Sequence, residues 1–211
     1  MDKQFAIFDM DGTLVNSMPA WNRVGVDYLE SKGITPPQEL FSKIKAMTLI
    51  ESARYFQSLG AGEEAQQIVD KMNAIMAEHY KKDIPLCLGA AEYLEKLHQR
   101  GVKMCIATAT NEKLANACLE RLGIRKYFSF ILSCEDVGKG KSSPDVYLLA
   151  AQKLGAKVEQ ACVYEDAAFA AATAKNAGFY TIGVYDPAAG EENRKELISL
   201  CDAFIEQYSE V

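Results

Sequence analysis

Apolar residues near the start of the chain are clustered rather than alternating. Phe5 to Phe8 is a short run rich in aromatic and branched side chains, too short for a helix, and it predicts a fully buried strand. The spacing then turns helical until about Lys82, with no strand signal. Ser17 can cap a helix running to Lys32, with Gly33 at its C-terminal stop. Thr35-Pro36-Pro37-Gln38 offers a cap, a proline at the first helical position and a reciprocal Gln. Thr48-Leu49-Ile50-Glu51 repeats that logic for a third helix stopping at Gly60. A fourth, from about Glu63 to Lys81, carries Ile68, Met72, Ile75, Met76 and His79 at three-to-four spacing. Its Met-rich stripe reads as core packing.

From Pro85 onward helices and strands alternate. A helix from Ala90 to Arg100 leads to a strand from Val102 to Ala107, and one from Glu112 to Leu122 to a strand from Phe130 to Leu132. A helix from Pro144, with Ser143 as cap, to Leu154 precedes a strand from Ala161 to Tyr164. A helix from Ala167 to Asn176 precedes a strand from Thr181 to Val184, and a last helix and short strand follow Glu191. Strands separated by helices predict an α/β fold, a doubly wound, Rossmann-like parallel sheet with right-handed crossovers. The four uninterrupted helices predict a small helical domain, residues 16–83, inserted into a core made of 1–15 and 84–211.

Composition narrows the classes. The 211 residues, 49% hydrophobic and 25% charged, suit a globular protein. A net charge of -6 argues against a nucleic-acid partner. No apolar run approaches the roughly 18 residues of a membrane span, and the N-terminal stretch lacks an apolar signal region. Cys87, Cys105, Cys118, Cys134, Cys162 and Cys201 stand singly, without a Cys-x-x-Cys pair, so a reduced, cytoplasmic protein is expected. His79 and His98 have no ligand-like neighbours for zinc. The sequence names no oligomeric state, and a monomer suffices.

The candidate chemistry lies where strands end. Asp9 and Asp11 follow the first strand one residue apart, and Gly12 then permits a sharp turn. Carboxylates crowded at the end of a buried strand repel each other, which makes a cation the natural neutraliser. Thr108 ends the next strand, where its hydroxyl and the amides of Ala109 and Thr110 precede a helix and could hold an anion. Lys141 precedes another helix and could offset charge on a phosphoryl group. Glu165 and Asp166 end a further strand. Singly, each has a bland reading: an acidic turn, a strand terminus, a solvent-facing lysine, acidic residues on a helix dipole. Together they put at successive strand ends the groups that phosphoryl transfer requires.

The segment DMDGTLVNS, with IATATNEK, GKGKSSPDVYLLAAQKLG and CVYEDAAFAAATAKNAG downstream, resembles the four motifs of the haloacid dehalogenase-like hydrolases, in the branch of beta-phosphoglucomutase and phosphoglycolate phosphatase. The likeness spans nearly the whole chain. It implies Asp9 as nucleophile, Asp11 as general acid and base, and Thr108 and Ala109 as phosphate binders, with Lys141 steadying the charge. It implies Mg²⁺ held by Asp9, the Asp11 carbonyl and Asp166, with Glu165 supporting. The helical insertion is similar to the family's cap domain. Asn16, Ser142, Ala167 and Ala170 depart from the commonest motif residues without removing a catalytic group. The branch's mutases carry an arginine in the segment that here reads KAMTLIES, and Leu49 stands there instead. The resemblance therefore implies a phosphatase of a small phosphorylated metabolite such as a sugar phosphate, with a sugar phosphomutase second. A receiver-like phosphoacceptor module is third and is disfavoured by chain length. No Gly-x-Gly-x-x-Gly supports a dinucleotide site.

Overall fold

The computed structural model describes residues 3–44, 47 and 49–210. The chain divides into two compact units, Met1–Asn16 with Ile84–Val211 and Ser17–Asp83. The first unit opens with β1 (Phe5–Phe8). The second then holds α1 (Met18–Ser31), α2 (Leu40–Ile44), α3 (Leu49–Ser58) and α4 (Ala65–Lys82). The first unit resumes with α5 (Ala90–Gln99), β2 (Lys103–Thr108), α6 (Glu112–Arg121), β3 (Phe128–Ser133), α7 (Cys134–Val137), α8 (Asp145–Leu154) and β4 (Ala161–Glu165). It ends with α9 (Ala168–Asn176), β5 (Tyr180–Val184), α10 (Gly190–Leu200) and β6 (Ala203–Ile205).

The six strands form one parallel sheet in the order β3-β2-β1-β4-β5-β6. Strand alternation sends side chains to opposite faces. Ile7 joins Cys105, Val163 and α8 residues Tyr147 and Ala150 in one core. On the other face Phe8 stacks on Tyr164 at 4.0 Å, and Tyr93 of α5 meets the Tyr164 ring edge-on at 6.0 Å. Helices therefore cover both faces, and β1 is buried on both, which is why its sequence is a continuous apolar run. Each large core side chain so buried contributes about 1.5–3 kcal/mol.

The helical unit has its own core. Tyr28 of α1 stacks on Phe56 of α3 at 5.8 Å, and Trp21 Nε1 donates to Tyr80 Oη of α4 at 3.0 Å. Gly25 allows the close approach, because a Cβ there would lie 2.9 Å from Phe56 Cζ. The buried stripe of α4 is Ile68, Met72, Met76 and Tyr80. Ile75 is only half-buried, and His79 pairs with Asp83 at 2.9 Å on a partly exposed face.

Several local expectations shift. Ser17 occupies the N-cap position of α1 without a side-chain cap bond, and Pro19 in the first turn removes a donor that needed one. The second helix begins at Leu40 rather than at Pro36, because a residue that precedes a proline is biased away from helical geometry and Pro36 precedes Pro37. Thr48, the expected cap of the third helix, lies outside the described residues. Pro144, not Ser143, holds the N-cap position of α8, and the Ser143 hydroxyl bonds the Asp145 carboxylate. The short α7 was not expected. Its signal was present in Ser133 and Asp136, which make a capping box, with Asp136 Oδ2 accepting from the Ser133 amide at 2.8 Å.

Candidate active site

In a sheet ordered 3-2-1-4-5-6, neighbouring β1 and β4 send their connections in opposite directions. A crevice opens there at the carboxyl ends of the strands. The Asp9 amide donates to the Tyr164 carbonyl at 3.0 Å, prolonging the β1–β4 register by one residue. Asp9 thus emerges beside Glu165 and Asp166, which end β4. Carboxylate oxygens of these three buried residues lie within 4.8 Å of one another.

Lys141, in the turn before α8, reaches this cluster from 132 residues away in sequence and bonds Asp9 Oδ1. The same ammonium donates to Glu165 Oε1 at 2.6 Å, and the Tyr147 hydroxyl donates to that oxygen at 2.6 Å. Glu165 therefore spends one carboxylate oxygen on orienting Lys141. Asp166 Oδ1 accepts from the Thr13 hydroxyl at 2.9 Å. The loop carrying Asp166 is clamped by Asn193, which donates to the Asp166 carbonyl at 2.7 Å and accepts from the Ala168 amide at 3.0 Å.

The electrostatics are those of a crowded, dry anion cluster. Burial, then the neighbouring charges of Asp9 and Glu165, pushes the Asp166 carboxyl well above the ordinary range. Burial also pushes Glu165 up, to about 7, with Lys141 opposing. Burial alone would lower Lys141, but Asp9 and Glu165 outweigh it and hold the ammonium above its ordinary value. Three carboxyl groups face one ammonium, too little positive charge to hold all three ionised. A divalent cation is the charge that balances such a donor set, so the residues fit a metal.

Beyond β1 the chain does not continue as a strand. Met10 to Val15 curls into a loop in which Gly12 donates to the Val15 carbonyl at 2.9 Å. Gly12 takes φ of +82°, and a Cβ there would come within 2.5 Å of Asp166 Oδ2, so only glycine fits between loop and cluster. Asp11 is carried to β2, where its Oδ2 accepts from the Thr110 hydroxyl at 2.7 Å. Thr108 is fully buried, and its Oγ1 accepts the Thr110 amide at 3.0 Å. That amide, expected beside the Ala109 amide to face an anion, is engaged within the turn. Ala109 itself is exposed on the turn.

Sequence reasoning named Asp9, Asp11, Thr108, Ala109, Lys141, Glu165 and Asp166 as site residues. The structure brings Asp9, Lys141, Glu165 and Asp166 into direct or adjoining contact and sets Asp11 against Thr110 on the neighbouring strand end. It adds Thr13, Thr110 (as a hydroxyl), Tyr147 and Asn193. Of these, Thr13, Thr110 and Tyr147 lie inside the quoted segments, and Asn193 lies outside them. Tyr147 and Asn193 sit on α8 and α10 in helical patterns that carried no sign of their contacts.

The chain belongs to the haloacid dehalogenase-like hydrolases, whose family model matches residues 6–184. It is 32% identical over 186 residues to hexitol phosphatase A of Escherichia coli K12, covering 86% of this chain and 83% of that protein. It is 29% identical over 183 residues to the phosphorylated carbohydrates phosphatase of Thermotoga maritima, covering 83% of this chain and 82% of that one. Among solved structures, beta-phosphoglucomutase from Clostridium difficile shares the fold with a TM-score of 0.75 at 19% identity, over 99% of this chain and 93% of that one.

Proposed function

We propose that this chain is a magnesium-dependent phosphatase that hydrolyses small phosphorylated carbohydrates through an aspartyl-phosphate on Asp9. The observation that carries the reading is Asp9 itself, buried at the switch point with Lys141 on one oxygen and Asp166 and Glu165 beside it. The phosphatase relatives support the substrate class. Six free cysteines, four of them buried, suit a reducing cytoplasm.

Asp9, the Asp11 carbonyl and Asp166 would hold the metal. When bound, Mg²⁺ would screen the charge of the phosphoryl oxygens from the attacking carboxylate. The chain's own groups do the rest. Lys141 and Thr108 bind phosphoryl oxygens, so the negative charge that resists attack is met by an ammonium and a hydroxyl. An Asp9 oxygen forms a bond to phosphorus as the bond to the ester oxygen breaks, and Asp11 gives that oxygen its proton. Water then attacks the phosphoryl group, Asp11 takes the water's proton, and Asp9 leaves as a free carboxylate. Thr110 holds Asp11 on the strand end where this exchange occurs. The helical unit is assigned the part of a cap that selects the leaving alcohol.

The test is a phosphate-release screen of phosphorylated sugars, sugar alcohols and hydroxy acids, run with Mg²⁺ and with excess chelator. Release from at least one simple monoester, lost in chelator and restored by Mg²⁺, is expected. A mutase is the second reading, and Leu49 in place of arginine weighs against it. If beta-glucose 1-phosphate became glucose 6-phosphate faster than phosphate appeared, the mutase reading would replace the hydrolase.

A further inference from the structure

Asp166 stands between the last residue of β4 and Ala167, which holds the N-cap position of α9. Ala167 makes no side-chain cap bond, because alanine has no group to make one. The first amides of a helix lack intrahelical partners, so the start of α9 takes an acceptor from outside its own segment. Asn193 of α10 supplies it. Its Oδ1 accepts the Ala168 amide at 3.0 Å, while its Nδ2 donates to the Asp166 carbonyl at 2.7 Å. One side chain thus spans the turn that carries Asp166 and holds it at both ends.

That side chain is firmly seated. Asn193 and Leu197 stand four residues apart, on one face of α10. Leu197 is fully buried and packs with Ala168 and Ala171 of α9. Arg194, the next residue, donates to Glu206 at 2.8 Å just beyond β6 and ties α10 to the sheet edge. The Asp166 carboxylate is met from the other side, where Oδ1 accepts the Thr13 hydroxyl at 2.9 Å. Asp166 is therefore placed through its side chain by the loop after β1 and through its backbone by α10.

The residue type matters. An amide offers a donor and an acceptor together, and these partners need one of each. A carboxylate would accept the Ala168 amide but has no proton for the Asp166 carbonyl, and it would add negative charge beside a cluster already short of positive charge. A lysine would donate and accept nothing.

We propose that Asn193 is a positioning residue for the metal. By holding the Asp166 carbonyl and the Ala168 amide from a second helix, it keeps the Asp166 carboxylate on the acid cluster and sets how tightly Mg²⁺ binds. This rests on the metal reading given above and deepens it.

The test is a calorimetric titration of the full chain with Mg²⁺ alone, without substrate. Asn193→Ala removes both bonds and leaves a strong helix former inside α10. Asn193→Asp keeps the acceptor and removes the donor. Lys175→Met is the structural control, since Lys175 ties the far end of α9 to the Leu200 carbonyl at 2.6 Å and to Asp202 at 3.0 Å. Asn193→Ala should weaken Mg²⁺ binding by about tenfold, as loss of a group that orients a metal ligand does. Lys175→Met should leave the wild-type affinity. Asn193→Asp separates placement from charge: added negative charge alone would tighten binding, whereas loss of the clamp weakens it. Phosphate release by Asn193→Ala should fall at low Mg²⁺ and return to the wild-type kcat at saturating Mg²⁺. Equal binding by wild type and Asn193→Ala overturns the inference alone. So do tighter binding by Asn193→Asp, an equal loss in Lys175→Met, and a kcat that stays low at saturating Mg²⁺. A wild-type chain that bound no Mg²⁺ would remove the metal reading and the inference with it. The binding arm decides whether or not any tested ester is hydrolysed, so a failed substrate class and a failed clamp are told apart.

Discussion

Two charge clusters, one in each unit, are built from the same kinds of group and do opposite work. In the helical unit, Glu63 takes Lys32 at 2.6 Å, Lys71, and the Tyr28 hydroxyl at 2.9 Å. Its lysines hold the carboxyl down to about 2, and Lys32 and Lys71 remain partly exposed. In the first unit, Lys141 is shared between Asp9 and Glu165, with side chains at most 8% exposed. There burial drives Glu165 and Asp166 the other way, above the carboxylate range. Glu63 is a carboxylate with more cations than it needs, and water can reach the set. The Asp9 cluster has too few cations and little water. The first arrangement pins helix ends together. The second is poorly self-neutralised, which is what a site for a metal and a phosphoryl group demands.

The comparison breaks most severely at Asp9. Asp9→Asn leaves a side chain of the same shape but removes the charge and the nucleophile. Turnover of the best substrate should fall by about 10⁴-fold or more, as when a nucleophile is deleted elsewhere. Relieving a crowded anion should leave the melting temperature at or above wild type. A folded Asp9→Asn protein with substantial phosphate release would falsify the nucleophile assignment.

Lys141→Met tests the same cluster through its one cation. Removing it strands Asp9 and Glu165 as buried like charges, a change of about 3–5 kcal/mol in systems where one partner of a buried pair is deleted. Urea unfolding should show that loss at neutral pH together with loss of activity. Adding Glu165→Gln should recover part of the stability and none of the activity. If the single variant were as stable as wild type, the cluster would already be balanced, and the contrast with Glu63 would collapse.

What could be read beforehand follows the range of the interaction. β1, the acid pair and the turn at Gly12 are local, so eleven consecutive residues announced them. The alternation of later strands and helices fixed a parallel sheet, and with it the strand ends where Thr108 and Asp166 had to lie, with Lys141 in the turn that enters the next helix. Contacts set by side-chain reach across the sheet were invisible. Tyr147 lies on the apolar face of α8 like any core residue until its hydroxyl meets Glu165. Asn193 sits in a polar helix with nothing to mark it as the clamp on Asp166. The helix start at Pro36 and the cap at Ser143 were misjudged because cap rules rank residue types, while adjacent prolines and a neighbouring carboxylate decided the local geometry.

A smaller effect is expected at Thr110, whose hydroxyl holds Asp11. Thr110→Val is nearly isosteric and keeps the amide bond to Thr108. Asp11 remains present but loses the bond from the Thr110 hydroxyl. General acid–base catalysis contributes typically 10²–10⁴-fold, and partial misplacement should forfeit about tenfold of kcat with KM unchanged. A change confined to KM would mean that Thr110 serves binding and not Asp11.

The smallest effect belongs to the helical unit, and pH separates it from the others. Lys32 and Lys71, the first-ranked causes, together with Tyr28, depress Glu63 from an ordinary 4.5 to about 2 in the folded state. A depressed acid stabilises the fold above its unfolded value and loses that contribution as pH falls through the folded one. The difference in melting temperature between wild type and Glu63→Gln should therefore be full at pH 6, begin to shrink near 4.5 and vanish near 2. It should also shrink in high salt, because the lysines are partly exposed and their charges are screened. Tyr28 gives the matching alkaline limb: burial and Glu63 raise its hydroxyl to about 12, so its contribution holds below 10 and is lost as pH rises through 12. Phosphate release at neutral pH should be untouched by Glu63→Gln. A difference in melting that was flat from pH 6 to 2 would show that Glu63 acts by packing, and the surface cluster would then owe nothing to its charge.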